Sequence, residues 1–98
     1  MLIELNEENF YETIAKGLKL VEFYTTWCGF CAKQQSVLNE MKEINIYQAN
    51  ADDLPLQVKQ YNINAFPTFV IFKEGKEMKK LYGYQTKFEL MNNLVPYL

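Results

Sequence analysis

Residues 25–34, TTWCGFCAKQ, hold both cysteines of the chain, Cys28 and Cys31, two residues apart. Two thiols this close can do redox chemistry, supply part of a metal site or pack inertly, and their surroundings discriminate. The run before them, KLVEFYTT (Lys19 to Thr26), is rich in aromatic and β-favouring residues and reads as a buried strand. After them, Phe30, Val37, Leu38, Met41 and Ile44 recur at three- and four-residue spacing with polar residues between, which predicts an amphipathic helix from Cys28 onward. Cys28 thus follows a strand and opens a helix, where unpaired backbone N–H groups and the positive end of the helix dipole favour thiolate over thiol. Cys31 lies one turn further along the same face, within reach for a disulfide. In the chemistry this allows, Cys28 attacks a substrate disulfide to give a mixed disulfide. Cys31 then attacks Cys28, releasing reduced substrate and leaving an internal disulfide. Gly29 is expected to give the turn its backbone freedom. A four-ligand metal site needs further cysteine or histidine, and with no histidine and no third cysteine only a dimer-bridged site survives.

The elements that must position the pair follow from local signals. Leu2 to Leu5 reads as a strand. Asn6 then caps a helix with Glu7 and Glu8 in its first turn, Phe10, Ile14 and Leu18 near helical spacing, and Gly17 as its stop. Ile44 to Asn50 predicts a third strand; Asp52 or Asp53 with Pro55 just behind predicts a helix over Leu54 to Tyr61. KEGK predicts the turn of a hairpin pairing Thr68–Phe72 with Glu77–Leu81. Thr86 followed by Glu89 is a capping box for a last helix, which Pro96 ends or kinks. The sum is βαβαβα then ββα: parallel strands joined by right-handed crossovers, an antiparallel hairpin added to them, and helices on both faces of a mixed sheet. Phe10, Phe23, Phe69 and Phe72 are expected in the core, and KEGKEMKK on a solvated hairpin face.

At 98 residues, about half of them apolar, the chain is expected to fold as one domain spanning residues 1–98 without staples. Ten lysines, no arginine and twelve acids are spread along its length for a net charge of -2, which excludes a basic nucleic-acid footprint. MLIELNEENF places acids where a secretory signal carries positive charge, and no stretch approaches the ~20 apolar residues of a membrane span. A soluble cytoplasmic protein is the expectation. Thiols there are held reduced, so a close pair is catalytic or metal-binding rather than a staple.

VEFYTTWCGFC resembles the active-site segment of the thioredoxin family, an aromatic-rich strand end followed by WCGPC, and the likeness extends through FPT, the hairpin and the closing helix. The resemblance implies the thioredoxin fold, an α/β fold with a central sheet of about five strands. It also assigns roles. Glu22, six residues before Cys28, reads from composition alone as a solvent-facing residue of an edge strand. The resemblance instead implies a buried carboxylate that serves as general base for Cys31, with Gln48 where the family often has a lysine. Pro67 reads as an ordinary trans proline at a strand entrance. The resemblance implies a cis Phe66–Pro67 bond in a loop facing the cysteines, where the Phe66 backbone hydrogen-bonds an extended substrate segment. Trp27, Gly29, Phe30, Phe66, Gly83 and Tyr84 are then the docking surface, and Phe30 is a departure from the usual proline.

The function so implied is a protein-disulfide reductase with no bound cofactor and a reversible Cys28–Cys31 disulfide. It works as a monomer, recharged from NADPH through a flavoprotein, thioredoxin reductase. The resemblance supplies its clients, of the ribonucleotide reductase, peroxiredoxin and methionine sulfoxide reductase type. With no histidine between the cysteines, a reductant rather than an oxidant is expected. Competing readings are a glutaredoxin-like reductase, weakened by the absence of arginine for glutathione carboxylates, a binding module whose thiols matter little, and a dimer-bridging iron-sulfur carrier.

Overall fold

In the computed structural model, which describes residues 1–98, strand and helix alternate in the expected order. The elements are β1 (Leu2–Glu4), α1 (Phe10–Ile14), β2 (Leu18–Tyr24), α2 (Gly29–Glu40), β3 (Ile46–Asn50), α3 (Pro55–Gln60), β4 (Thr68–Lys73), β5 (Lys76–Tyr82) and α4 (Lys87–Leu94), closed by a 3₁₀ turn over Val95–Tyr97. The sheet order is β1-β3-β2-β4-β5: β3 runs parallel to both β1 and β2, whereas β4 is antiparallel to β2 and to β5. β2, which leads into the cysteines, is the central strand.

Alternation along the strands sends successive side chains to opposite faces, and each face has its own core. Val21, Phe23, Ala49, Val70 and Phe72 pack with Phe10 and Ile14 of α1 and with Leu54 and Ile63 around α3. Leu20, Ile46, Phe69, Ile71 and Leu81 pack against Leu38 and Met41 of the α2 segment and Leu90 and Leu94 of α4. The four core phenylalanines are fully buried, each contributing roughly 1.5–3 kcal/mol relative to exposure.

Local signals set most element ends. The Thr86 hydroxyl accepts the Glu89 N–H while the Glu89 carboxylate accepts the Thr86 N–H, the reciprocal box that opens α4. Glu74 and Gly75, at φ 51° and 81°, form a two-residue hairpin turn with both residues left-handed, matching the twist of the flanking strands.

Several expectations are corrected. α1 starts at Phe10 rather than beside Asn6, because the Asn6 and Asn9 side chains accept each other's backbone N–H and close a separate turn first. Leu18 belongs to β2, since Gly17 at φ 69° turns the chain before it. α2 ends at Glu40, where the fully buried Met41 leaves helical geometry, and β3 begins only at Ile46. Neither Asp52 nor Asp53 caps α3; Leu54 occupies that position with no side-chain bond. No helix is long and apolar enough to cross a membrane.

Candidate active site

β2 ends at Tyr24, and four residues later Cys28, still extended at φ −103° and ψ 118°, is the N-cap of α2. A cap side chain satisfies an orphan N–H of the first turn. Here the Cys28 sulfur does so, accepting the Cys31 N–H at 3.2 Å. Its own S–H donates to the Phe66 carbonyl at 3.4 Å. Both cysteines are free thiols; Cys28 is half-buried, whereas Cys31 is only 6% exposed. Burial, then the hydrogen bond to Cys28, push the Cys31 thiol up to about 12, with the charges of Cys28 and Glu22 adding to the rise. One sulfur is therefore reachable and the other is sheltered and holds its proton.

Gly29 is the first residue of α2 and has no positive φ, and a Cβ there would meet nothing. The expected need for backbone freedom is not seen, because the helix is already regular at this residue. What glycine leaves is a bare surface beside Cys28. The glycine that conformation does require is Gly83, at φ 80°, whose N–H donates to the Pro67 carbonyl at 2.8 Å. The Phe66–Pro67 bond is cis, so the ordinary trans reading of the sequence is corrected.

Around this pair lies an aromatic rim. Trp27 is 70% exposed, meets the half-buried Phe66 edge to face at 6.2 Å, and donates its indole N–H to the Asp52 carboxylate at 3.1 Å. Phe30, 65% exposed in the first turn of α2, departs from the apolar stripe in which its spacing placed it. Tyr84 lies under the Lys33 ammonium, 4.5 Å from its ring centroid. A cleft of about 260 Å³, lined by Tyr24, Thr25, Thr26, Cys28, Cys31, Ala32 and Gln35, opens between the strand end and the helix.

Glu22 is interior, 1% exposed, which corrects the solvent-facing reading of its composition. β2 is the middle strand of the sheet and its even positions lie under α2. Register aligns Glu4, Gln48 and Glu22 across β1, β3 and β2. Gln48 donates to Glu22 Oε1 at 3.0 Å, and the other carboxylate oxygen has no partner in the protein. Burial raises the Glu22 carboxyl to about 7; the Gln48 bond opposes this and the nearby Glu4 charge adds to it. The Tyr24 hydroxyl in turn donates to Glu4 at 2.8 Å.

The sequence did not single out Gln34 or Gln35, whose types read as surface polar residues, and it marked Asp52 only as a helix-start signal and not as a partner of Trp27. Gln34 is fully buried on α2 and clamps the loop after β5: its amide N–H donates to the Gln85 carbonyl at 2.8 Å and its carbonyl accepts the Gln85 N–H at 2.7 Å. That loop carries Gly83 and Tyr84. Replacing Gln34 with Leu removes two bonds to part-buried backbone, and is expected to cost about 1–3 kcal/mol of stability. It should also speed hydrogen exchange at the Gln85 amide while leaving iodoacetamide alkylation of Cys28 unchanged. Slow exchange at Gln85 in the variant would show that something other than Gln34 holds the loop.

Comparison with known proteins agrees with this arrangement. The family model described as Thioredoxin matches residues 1–95. The chain is 34% identical to the thioredoxin of Chlamydia trachomatis serovar D over 95 residues, 93% of each chain. It is 31% identical to that of Staphylococcus haemolyticus over 102 residues, 99% of this chain and 98% of the other. In fold it is similar to the crystal structure of Malassezia sympodialis thioredoxin (Mala s 13), with a TM-score of 0.84 at 20% identity, covering 98% of this chain and 90% of that one.

Proposed function

The chain belongs to the thioredoxin family and is a dithiol–disulfide oxidoreductase, and from that premise we propose that it runs as a reductant of protein disulfides with residues 1–98 acting as one monomeric unit. Thioredoxins need no cofactor and use a reversible disulfide, here between Cys28 and Cys31. The observation that carries the reading is the asymmetry of the two thiols: a reachable sulfur at a helix start bonded to the N–H of a buried partner one turn on.

The Cys28 thiolate attacks one sulfur of the client disulfide, forming a Cys28–client bond while the other client sulfur leaves as a thiolate and takes a proton. Cys28 is then neutral, and the hydrogen bond and charge with which it held the Cys31 proton are gone. Glu22 takes that proton as general base, Cys31 attacks the Cys28 sulfur, and the second client thiol departs. The protein ends as a disulfide and the client has gained two electrons and two protons. Trp27, Gly29, Phe30, Phe66, Pro67, Gly83 and Tyr84 form the docking surface, with an extended client segment bonding the Phe66 backbone.

Thioredoxin reductase, drawing on NADPH through its flavin, returns the disulfide to the dithiol. The cytoplasm is the compartment, and enzymes of the ribonucleotide reductase, peroxiredoxin and methionine sulfoxide reductase type are the clients. Family membership does not favour the glutaredoxin-like or binding-module alternatives. Equilibration of Cys28–Cys31 against glutathione redox buffers tests the direction of flow. A reductant has a potential below that of the glutaredoxins, roughly −200 to −230 mV. A potential near roughly −120 mV, that of a strong oxidant, would reverse the assignment.

A further inference from the structure

We infer that Gln35, acting through Gln48, orients the Glu22 carboxyl so that its exchangeable proton sits on Oε2; Gln35 is thereby a positioning residue for the step in which Cys31 loses its proton. The inference rests on the reading of Glu22 as general base and concerns how that base is held.

Four side chains form one directed chain. Gln48 Nε2 has two hydrogens and spends both, one on Glu22 Oε1 at 3.0 Å and one on Gln35 Oε1 at 2.8 Å. Gln35 Nε2 in turn donates to Asn39 Oδ1, one helical turn on, at 3.4 Å. A flip of the Gln48 amide would set its carbonyl against the Gln35 carbonyl, two acceptors facing each other, and would strip Glu22 Oε1 of its donor. With Gln35 held in this sense by Asn39, the α2 side sets an N–H against Glu22 Oε1. An oxygen facing a donor cannot also present an O–H to it, so protonation is directed to Oε2, the buried oxygen with no partner in the protein. Gln35 itself lines the cleft beside Cys31, so the chain of amides runs from the cysteines' wall to the carboxylate.

A freed Gln48 would behave differently. It could turn its N–H to an ionised Glu22 and its carbonyl to a protonated one, so the neutral acid gains a partner that it lacks in the native arrangement. Removing the Gln35 acceptor thus favours the protonated carboxyl and moves its titration upward. The titratable groups that act on Glu22 or feel it are Glu4 on β1, Tyr24 on β2 and Cys31 on α2, with Asp53 acting on Glu4 and Tyr24; the Gln35 amide hydrogen-bonds Gln48 and Asn39 and none of these.

The test is a carbon-13 titration of the Glu22 side-chain carboxyl by NMR in four reduced proteins: native, Gln35→Met, Gln48→Met and the double variant. Methionine keeps length and helix propensity at the half-buried position 35. Gln35→Met should raise the Glu22 midpoint by up to about one pH unit, the size of the one hydrogen bond between neutral groups that the protonated acid gains. Gln48→Met should raise it as well, because the bond it removes stabilises the anion, and the double variant should match Gln48→Met alone. No shift in Gln35→Met, or the same added shift with and without Gln48, overturns the proposal. In parallel, the rate of internal disulfide formation from a Cys28 mixed disulfide is followed against pH. A Glu22 midpoint that moves while this rate profile stays put sinks Glu22 as the base and leaves the positioning by Gln35 standing.

Discussion

Cys28→Ser should reduce insulin no faster than the dithiothreitol blank, a loss of at least about a thousandfold in the catalysed rate. A serine hydroxyl can still cap α2 and accept the Cys31 N–H, so the fold loses little; what disappears is the only sulfur that a client can reach. Cys31→Ser should fail in a different way. Cys28 remains at the helix start with its half-buried sulfur and still opens client disulfides, but nothing one turn on can displace the client. With limiting reductant, intact-mass spectrometry should then find the client bound to Cys28 in equal amount with the protein. The asymmetry follows from burial: Cys31 is sheltered, and its proton is held by desolvation and by Cys28 itself. Adducts on Cys28→Ser but not on Cys31→Ser would exchange the two roles. Equal insulin activity in native protein and both variants would restore the binding-module reading.

The second large effect is a stability that declines as pH rises toward neutrality. Glu22 titrates at about 7 in the folded chain, chiefly because burial penalises its charge, against 4.5 in its ordinary state. Between these values the folded protein keeps a proton that the unfolded chain has released. The folded state then binds more protons than the unfolded one, so unfolding free energy falls with rising pH across that window and levels off above it. A gap of this size corresponds to about 3 kcal/mol. Glu22→Gln retains an oxygen for the Gln48 donor and has no proton to exchange, so urea melts of the reduced proteins at pH 5 and pH 8 isolate the contribution. Native protein should lose about 2–3 kcal/mol relative to the variant between those conditions, a little less than the whole gap because pH 5 already lies above the unfolded value. Parallel pH dependences would mean that the carboxyl is not perturbed by its burial. The same variant should lose the general base, slowing internal disulfide formation by about 10²–10⁴-fold while leaving the first attack by Cys28 intact.

Much of this architecture is written in near-neighbour patterns. The C-x-x-C pair between a strand and a helix, the Thr86–Glu89 box, the KEGK turn, the β-favouring run of β2 and the apolar period of α2 each act over a few residues. Their elements came out in the expected order. The errors have causes that lie outside these local patterns. Asp52 has the chemistry of a helix cap, but its carboxylate takes the Trp27 indole N–H, 25 residues away, and Leu54 is left to cap α3. Phe30 fits the stripe of α2 by spacing yet lies at the helix start, past the edge of what the sheet covers.

From the order of residues alone came the redox pair, the succession of strands and helices, and the resemblance that assigned Glu22 and Phe66–Pro67 their places. Tertiary structure alone decided the environment of the pair: that β2 is central and its even positions lie beneath α2, which is the physical reason that the Glu22 carboxyl, buried by implication of the resemblance, is sealed from water. It also decided that three glutamines of surface type hold the site together, through bonds reaching 13, 26 and 51 residues along the chain. Periodicity reports which side chains share a face, whereas burial and these long bonds depend on what another part of the chain brings to that face, and no local pattern carries that information.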